Sequence, residues 1–460
     1  MSDVLKPKKT ASDLRSARWY DTDTRMGHTH RQRTSQAGFS KADYRGKPVI
    51  GILSTWSDLN PCHMHFRERV QDVKRGVWQS GGFPVEIPVA SLGEPFMKPT
   101  TGLYRNFLAI EVEEMLRCHP IDGAVLMGGC DKTTPAMIMG ATTVNLPFIF
   151  LPAGPMLTGR WRGHTLGSGT DTTRWFAELK AGTITRTDFD DMEEAGARSA
   201  GHCMTMGTAS TMTAIAEVLG LTLPNASSIP APDSRHAHMA SETGRQIVEM
   251  IWADRRPCDV LTRAAFENAL VALMALGGST NAVLHLMGIA KEAEVEWTLD
   301  DFDRLARKVP HLADLKPGGR YVMYDLHKAG GTPAMLKALL DAGFIHGDCM
   351  TVTGQTIGEN LKEITSIYKR KQVVIKPLDA PMHKTGHIVI MRGNLAPEGS
   401  VAKVAGLKVR KMTGPAKVYD GEEACFDAIK KQKIQPGDIV VIRGEGPVGG
   451  PGMREMLAVT

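Results

Sequence analysis

Short apolar runs alternate with helical patterns through the first third of the chain. Nearly continuous apolar runs predict buried strands at residues 48–56, 83–91, 123–127 and 146–151. Between them, residues 63–80 and 107–118 place apolar side chains at helical spacing and predict amphipathic helices. Because the strands alternate with helices, the sequence predicts an α/β fold whose large N-terminal domain has a parallel sheet flanked by helices.

Two later helices are predicted from the residues at their ends. One spans residues 208–220 and follows a loop with the sequence GHCMTMG. The other spans residues 333–343, with Thr332 as its N-cap, Pro333 at its first position and Gly343 at its end.

The chain is predicted to have three parts. Residues 1–45 are polar and irregular, which predicts an N-terminal arm, and residues 46–375 carry the α/β pattern. Residues 380–460 contain short β-type runs that are typical of a β-barrel-like C-terminal domain. A glycine-rich loop at residues 444–452 lies close to the last residue, Thr460, so this domain is predicted to be truncated.

Composition and charge favour a soluble, cytoplasmic protein over a membrane-spanning or nucleic-acid-binding one. No apolar run reaches the roughly 18 residues that a membrane span requires, and the polar N-terminus lacks the pattern of a secretory signal. The net charge of +5 is small for 460 residues. A nucleic-acid-binding protein that uses the basic N-terminus is an alternative, but basic and aromatic residues do not alternate there.

Cysteines supply the first candidate chemistry. Cys62, Cys130 and Cys203 each lie in a loop that precedes a predicted helix, and the first two follow predicted strands. In open α/β sheets ligands bind at the carboxyl ends of the strands, and helix N-termini lower the pKa of nearby thiols. The three thiols are therefore predicted to meet at one metal centre. The other four cysteines are predicted to be inert core residues, namely Cys118, Cys258, Cys349 and Cys425.

Acidic residues supply a second set of candidate ligands. Glu94, Asp131 and Glu455 lie in loops of the same kind, and carboxylate oxygens suit a hard cation such as Mg²⁺. Lys132 directly follows Asp131 and would repel a cation unless it carried a carbamate derived from CO₂.

Thiolates also suit zinc, so zinc is an alternative to iron–sulfur at these cysteines. His63, His65 and His202 flank two of the three cysteines and permit a Cys/His zinc site. The close C-x₂-C pairs of structural zinc modules are absent from the sequence, which favours an iron–sulfur centre.

Several long motifs resemble the family that contains dihydroxy-acid dehydratase, phosphogluconate dehydratase and the aldonic-acid dehydratases. They are PCHMH (61–65), CDKTTPA (130–136), GHCMTMGTASTM (201–212), GGSTNAVLHL (277–286), HKAGGTPAML (327–336) and GGPGMREML (449–457). The segment FPVEIPVASLGEPFMKPT, which contains Glu94, is similar to the sugar-acid branch, with arabinonate- or xylonate-type substrates.

The resemblance implies a reaction and two cofactors. Cys62, Cys130 and Cys203 would hold a [2Fe–2S] cluster. Mg²⁺ would be bound by the remaining set, Glu94, Asp131, carbamylated Lys132 and Glu455. The expected reaction is dehydration of a 2,3-dihydroxy sugar acid to a 2-keto-3-deoxy acid by a homodimer or homotetramer. The family's catalytic serine would lie beyond Thr460.

Two alternatives within this resemblance stay open. The substrate could be the dihydroxy acid of branched-chain amino-acid biosynthesis. Alternatively, the chain could be a catalytically dead, truncated remnant that only binds metal or dimerises.

Overall fold

The N-terminal segment is more ordered than its polar sequence predicts. The computed structural model describes residues 8–97, 101–404, 407, 411–446 and 459. Within residues 8–45 it has a short 3₁₀ helix and three α-helices, which are α1 (Ala17–Tyr20), α2 (Arg25–Gln36) and α3 (Lys41–Tyr44). The expectation of irregular structure is therefore wrong for these residues. Tyr20 and Tyr44 are buried with their rings 4.2 Å apart and pack on Phe83, so the segment covers part of the sheet.

The predicted parallel sheet is confirmed. Its four strands are β1 (Val49–Ser54), β2 (Phe83–Pro88), β3 (Gly123–Gly128) and β4 (Phe148–Pro152). They are all parallel and lie in the order β2-β1-β3-β4. Their connections contain α4 (Phe66–Gln79), α5 (Gly102–Cys118) and α6 (Thr133–Val144). Every residue of β1, β3 and β4 is buried, as is typical of a parallel sheet covered on both faces.

Helices form the body of the protein after the sheet. They are α7 (Thr170–Lys180), α8 (Arg186–Gly196), α9 (Thr208–Val218), α10 (Ser234–Trp252), α11 (Pro257–Val260), α12 (Arg263–Leu276), α13 (Asn281–Glu292), α14 (Leu299–Ala306), α15 (Met323–Lys328), α16 (Gly331–Asp341) and α17 (Ile357–Leu361). A second short 3₁₀ helix spans Ile367–Lys369.

Close helix packing covers one face of the sheet. Helices α4 and α10 approach each other at Gly76 and Gly244. A Cβ atom on Gly76 would lie 1.8 Å from the Ser241 carbonyl oxygen, and one on Gly244 would lie 2.2 Å from that of Val73. Only glycine permits this separation, so both positions fix how α10 lies against the strands.

The predicted N-cap of α16 is wrong. The helix begins at Gly331, with Gly330 as its N-cap, so Thr332 lies inside the first turn. Its hydroxyl lies instead 2.8 Å from Ser227 Oγ and 3.2 Å from Ser228 Oγ. A buried hydroxyl network therefore competes for the side chain that would have capped the helix.

A small hairpin module lies beside the main body. It comprises β5 (Gly159–Trp161), β6 (His164–Leu166) and the helices α7 and α8. The two strands are antiparallel. The module has its own apolar cluster, formed by Trp161, Leu166, Trp175, Phe189 and Met192.

The C-terminal part contains small sheets. Strands β7 (Ile388–Gly393) and β8 (Ala396–Lys403) are antiparallel, whereas β9 (Ala416–Asp420) and β10 (Ile439–Arg443) are parallel and flank α18 (Glu422–Lys430). The predicted β-rich character is thus observed, although the described residues form separate two-stranded sheets and not a closed barrel. Among the same residues, every helix is too short or too polar to cross a membrane.

A candidate metal site at the carboxyl edge of the sheet

Cys62, Cys130 and Cys203 come together at the carboxyl edge of the sheet. Cys62 follows β1, Cys130 follows β3, and the Cys130 thiol is close enough to the Cys62 thiol to raise its pKa. Cys203 lies before α9 and is close enough for its charge to act on the Cys62 thiol. The structure thus places the three cysteines near one another at this edge of the sheet.

Backbone pairing carries Cys203 to this edge. His202 forms a parallel bridge with Pro155, which lies just beyond β4. The amide of Gly201 donates to the Pro61 carbonyl over 3.2 Å, which ties the Cys203 loop to the Cys62 loop. Gly201 has a φ of +119°, a conformation that favours glycine and that lets this loop approach its neighbours.

Cys62 and Cys203 lie in surroundings that oppose the ionisation of their thiols. The adjacent Cys130 thiol, followed by burial, raises the pKa of Cys62 well above its ordinary value. Burial, followed by the nearby negative charges of Asp131 and Cys130, raises the pKa of Cys203 to about 12. Without a cation the thiols of Cys62 and Cys203 stay protonated. A metal centre would displace their protons and supply the missing positive charge.

His63 holds the backbone of Cys130. Its Nε2 accepts a hydrogen bond from the Cys130 amide over 3.0 Å, while its Nδ1 lies 3.1 Å from the Thr55 carbonyl oxygen. This arrangement requires the proton on Nδ1, which donates to the carbonyl. Burial lowers the pKa of His63 to about 3, so the ring is neutral and both nitrogens are engaged.

The other histidines of the zinc alternative also contact the backbone. His65 Nε2 lies 3.0 Å from the Ala153 carbonyl oxygen, and His202 Nδ1 lies 3.0 Å from that of Cys203. The second ring nitrogen of each is buried without a hydrogen-bond partner. In the described part of the chain, no group of three or more His, Cys, Asp or Glu side chains is arranged so that it could hold a metal ion. This absence applies to the three cysteines as well, so it does not separate the zinc alternative from the iron–sulfur alternative.

Three of the four predicted magnesium ligands are neighbours. Glu94 lies in the loop after β2, and its Oε2 is 3.5 Å from Lys132 Nζ. Asp131 Oδ2 is 3.9 Å from the same nitrogen. The Thr101 hydroxyl donates a hydrogen bond to Glu94. The fourth predicted ligand, Glu455, lies outside the described residues.

Lys132 occupies the place between the two carboxylates. Its side chain is only 1% exposed, so its ammonium group is withdrawn from water. As an ammonium, it balances part of the charge of Glu94 and Asp131. As a carbamate, it would add a third anionic group to the other two and leave room for a divalent cation.

Two basic residues near Lys132 were not predicted. Arg105 Nη1 donates to His285 Nδ1 over 3.2 Å. Burial, followed by the charges of Lys132 and Arg105, lowers the pKa of His285 well below its ordinary value. His285 Nε2 is buried and has no hydrogen-bond partner. The GGSTNAVLHL motif could have pointed to His285, whereas no sequence motif pointed to Arg105.

The remaining cysteines divide into two pairs. Cys349 and Cys425 are buried, which agrees with the core assignment. Cys118 and Cys258 are exposed, so the prediction that they are core residues is wrong. Cys118 is the last residue of α5 and Cys258 lies in the short α11, where an apolar sequence context does not ensure burial.

Comparisons with known proteins cover almost the whole chain. The family described as dihydroxy-acid/6-phosphogluconate dehydratase matches with its N-terminal part at residues 47–360 and with its C-terminal part at residues 373–460. A 6-deoxy-6-sulfo-D-gluconate dehydratase of Pseudomonas putida is 45% identical over 97% of this chain and 78% of its own length.

Other relatives carry different substrate names. An L-arabinonate dehydratase of Rhizobium leguminosarum is 43% identical over 96% of this chain and 77% of its own length. A dihydroxy-acid dehydratase of Nocardioides is 44% identical over 92% of this chain and 75% of its own length. The predicted truncation is not supported by these comparisons.

The fold and these likenesses define an α/β hydro-lyase, an enzyme that removes water from its substrate. The chain belongs to the dihydroxy-acid/6-phosphogluconate dehydratase family.

Proposed function

We propose that this protein dehydrates an aldonic sugar acid to a 2-keto-3-deoxy acid at the carboxyl edge of its sheet. Cys62, Cys130 and Cys203 bind a [2Fe–2S] cluster. The Mg²⁺ ligands are Glu94, Asp131, carbamylated Lys132 and Glu455. The observation that carries the proposal is that the thiol set and a half-buried carboxylate set meet at one turn, because Cys130, Asp131 and Lys132 are consecutive.

The donor set fits these groups. The three thiols are soft ligands, whereas the carboxylates beside them are hard oxygen ligands. A two-iron cluster is larger than a single ion and joins thiolates that lie further apart, which suits three cysteines from three separate loops. Lys132 is the N-cap of α6, and the helix N-terminus there favours the negative charge that bound metals require from their ligands.

When bound, the cluster and Mg²⁺ would supply Lewis acidity to the substrate's 3-hydroxyl and to its carboxylate and 2-hydroxyl. The protein's own residues fix the geometry. His63 holds the Cys130 amide, and the Gly201 amide fixes the loop of Cys203 against that of Cys62. Burial of Cys130 and Lys132 excludes water from the reacting edge. None of the described residues is assigned as the base that abstracts the proton.

A substrate panel on anaerobically purified protein tests the proposal. We expect iron and sulfide in equal amounts, and release of a 2-keto-3-deoxy acid from five- or six-carbon aldonates such as L-arabinonate, D-xylonate or 6-deoxy-6-sulfo-D-gluconate. Preference for the branched dihydroxy acid would assign the amino-acid pathway instead. A fully loaded protein without turnover would favour the metal-binding remnant, and zinc without sulfide would refute the proposal.

We further propose that the protein is a homodimer that uses an apolar face of α5. Leu103, Phe107 and Ile110 lie on one side of this helix at spacings of four and three residues. Their side chains are 44%, 59% and 57% exposed, respectively. Apolar patches of this kind on a soluble protein mark interaction sites.

Charge placed on this face is expected to separate the subunits. The double variant Phe107→Glu/Ile110→Glu should elute as a monomer in size-exclusion chromatography with light scattering, because burying two carboxylates at an interface is costly. Gln71→Glu on the exposed side of α4 is the control and should leave the dimer intact. A monomeric wild-type protein at micromolar concentration would contradict this proposal.

A further inference from the structure

The turn between α12 and α13, at residues 277–281, receives two side chains of the C-terminal part. The Gly278 carbonyl accepts from Lys403 Nζ over 3.1 Å and from His387 Nε2 over 2.7 Å. The same lysine nitrogen lies 3.3 Å from the Gly277 carbonyl oxygen. Lys403 ends β8 and His387 directly precedes β7, so the open end of this antiparallel hairpin is fixed to two neighbouring carbonyls.

The end of α12 favours a cation at this point. Its last carbonyls carry the negative end of the helix dipole, and the helix has no basic residue of its own in its last turn. Gly277 is its C-cap, with a φ of +70°, and a Cβ atom there would lie 2.3 Å from His311 Nε2. Lys403 therefore supplies, from a distant part of the sequence, the positive charge that α12 lacks.

The other side of the same turn contacts α9, the helix that follows the Cys203 loop. The Ser279 amide donates to Thr211 Oγ1 over 3.0 Å, and Ser279 Oγ lies 2.8 Å from Thr208 Oγ1. Asn281 Nδ2 donates to the same Thr208 oxygen over 3.1 Å. Thr208 is the first residue of α9, shortly after Cys203. The turn at residues 277–281 therefore joins the C-terminal hairpin to the Cys203 side of the site.

We infer that Lys403 is a positioning residue that fixes the C-terminal part against this turn and so sets how that part meets the metal site. The inference rests on the proposed function, because Glu455, the fourth proposed magnesium ligand, belongs to the same C-terminal part of the sequence. Ligands from two parts of a chain bind a metal tightly only when the contacts around them hold both parts in place. Lys403 contacts backbone carbonyls of the turn, so it acts on the site through position and not through chemistry.

The test compares variants of the full chain purified anaerobically. Lys403→Met keeps the apolar stem but removes the cation, Lys403→Arg keeps a cation, and Lys417→Met changes an exposed lysine of β9. Hydrogen–deuterium exchange along the chain, iron and sulfide content, and the magnesium dependence of turnover with the aldonate that the wild type uses best are measured for each.

We expect Lys403→Met to keep its iron and sulfide but to exchange amide hydrogens several-fold faster at residues 277–281 and 387–404, because these two segments lose their common contact. Exchange in β1 and β3 should stay as in the wild type. The magnesium concentration for half-maximal turnover should rise several-fold. Lys403→Arg should return the exchange and the magnesium dependence toward wild-type values, and Lys417→Met should match the wild type in all measurements.

Unchanged exchange at both segments of Lys403→Met would overturn the inference and leave the proposed function intact, as would faster exchange with wild-type magnesium dependence. If the methionine variant exchanges faster throughout, β1 and β3 included, the arginine variant decides, since failure of the retained cation to restore wild-type behaviour would also overturn the inference. Wild-type protein without aldonate turnover would overturn the proposed function, and the exchange data would still decide whether Lys403 holds the two segments together.

Discussion

Replacing Lys132 with arginine is expected to lower kcat by about 10³-fold, because loss of one ligand to a catalytic metal removes about 4 kcal/mol of transition-state stabilisation. Arginine keeps the positive charge between Glu94 and Asp131 but cannot form a carbamate. The two carboxylates would then stay paired with a permanent cation in a site where the lysine side chain is 1% exposed. Magnesium should no longer bind, and steady-state kinetics with magnesium titration measure both effects.

A second variant separates the carbamate from the charge. Lys132→Ala should also be inactive, but small carboxylates such as acetate should restore part of its turnover by supplying the missing oxygen ligand. In wild-type protein grown with ¹³C-bicarbonate, NMR should detect a carbamate carbon that is absent from both variants. Lys328→Arg, an exposed change on α15, is the control and should behave as the wild type. An arginine variant with nearly full activity would show that no carbamate is needed.

The sequence predicted the part of the site that depends on strand ends. Cys62 and Cys130 lie in the loops that follow β1 and β3, which are neighbours in the sheet, so the parallel arrangement brings the two loops to the same edge. The position of Cys203 at this edge depends on the bridge between His202 and Pro155, a long-range pairing that no local sequence pattern indicates. For this residue the family motif was the useful signal.

Residues that act through tertiary contacts could not be predicted. Arg105 lies on α5 among apolar residues, and its contact is with His285, which is distant in sequence. The N-terminal helices were missed for a similar reason. Their stability comes from aromatic contacts of Tyr20 and Tyr44 with the sheet and not from an apolar periodicity of their own.

Acidification below pH 6.5 is expected to destabilise the protein steeply, because it holds buried neutral histidines. Burial, the largest cause in each case, lowers the pKa of His236 and of His311 to about 4 and that of His387 to about 3. The unfolded chain binds a proton at each of these histidines near pH 6.5, whereas the folded protein does not. Stability is therefore complete above pH 6.5 and is lost as the pH falls toward 4.

Positive neighbours add to the effect of burial on these rings. Arg69 Nε donates to His236 Nδ1 over 3.2 Å, so that nitrogen has no free lone pair. Lys403 lies near both His311 and His387, and the ring of His383 stacks on that of His311. The negative charge of Asp314 raises the pKa of His311, but this is the smallest of the effects on that ring.

At about 1.4 kcal/mol for each unit of pKa difference, each of the three histidines removes roughly 3 kcal/mol of stability by pH 4. Thermal unfolding followed by calorimetry between pH 7.5 and 4.5 should show this as a falling Tm. His387→Gln keeps a donor for the Gly278 carbonyl, which the histidine contacts over 2.7 Å, but it cannot be protonated, so its Tm should fall less steeply. His28→Gln changes an exposed histidine of α2 and should leave the slope unchanged. Equal slopes for wild type and His387→Gln would contradict the role of this histidine, since a buried group that titrates only when the chain unfolds must contribute to the slope.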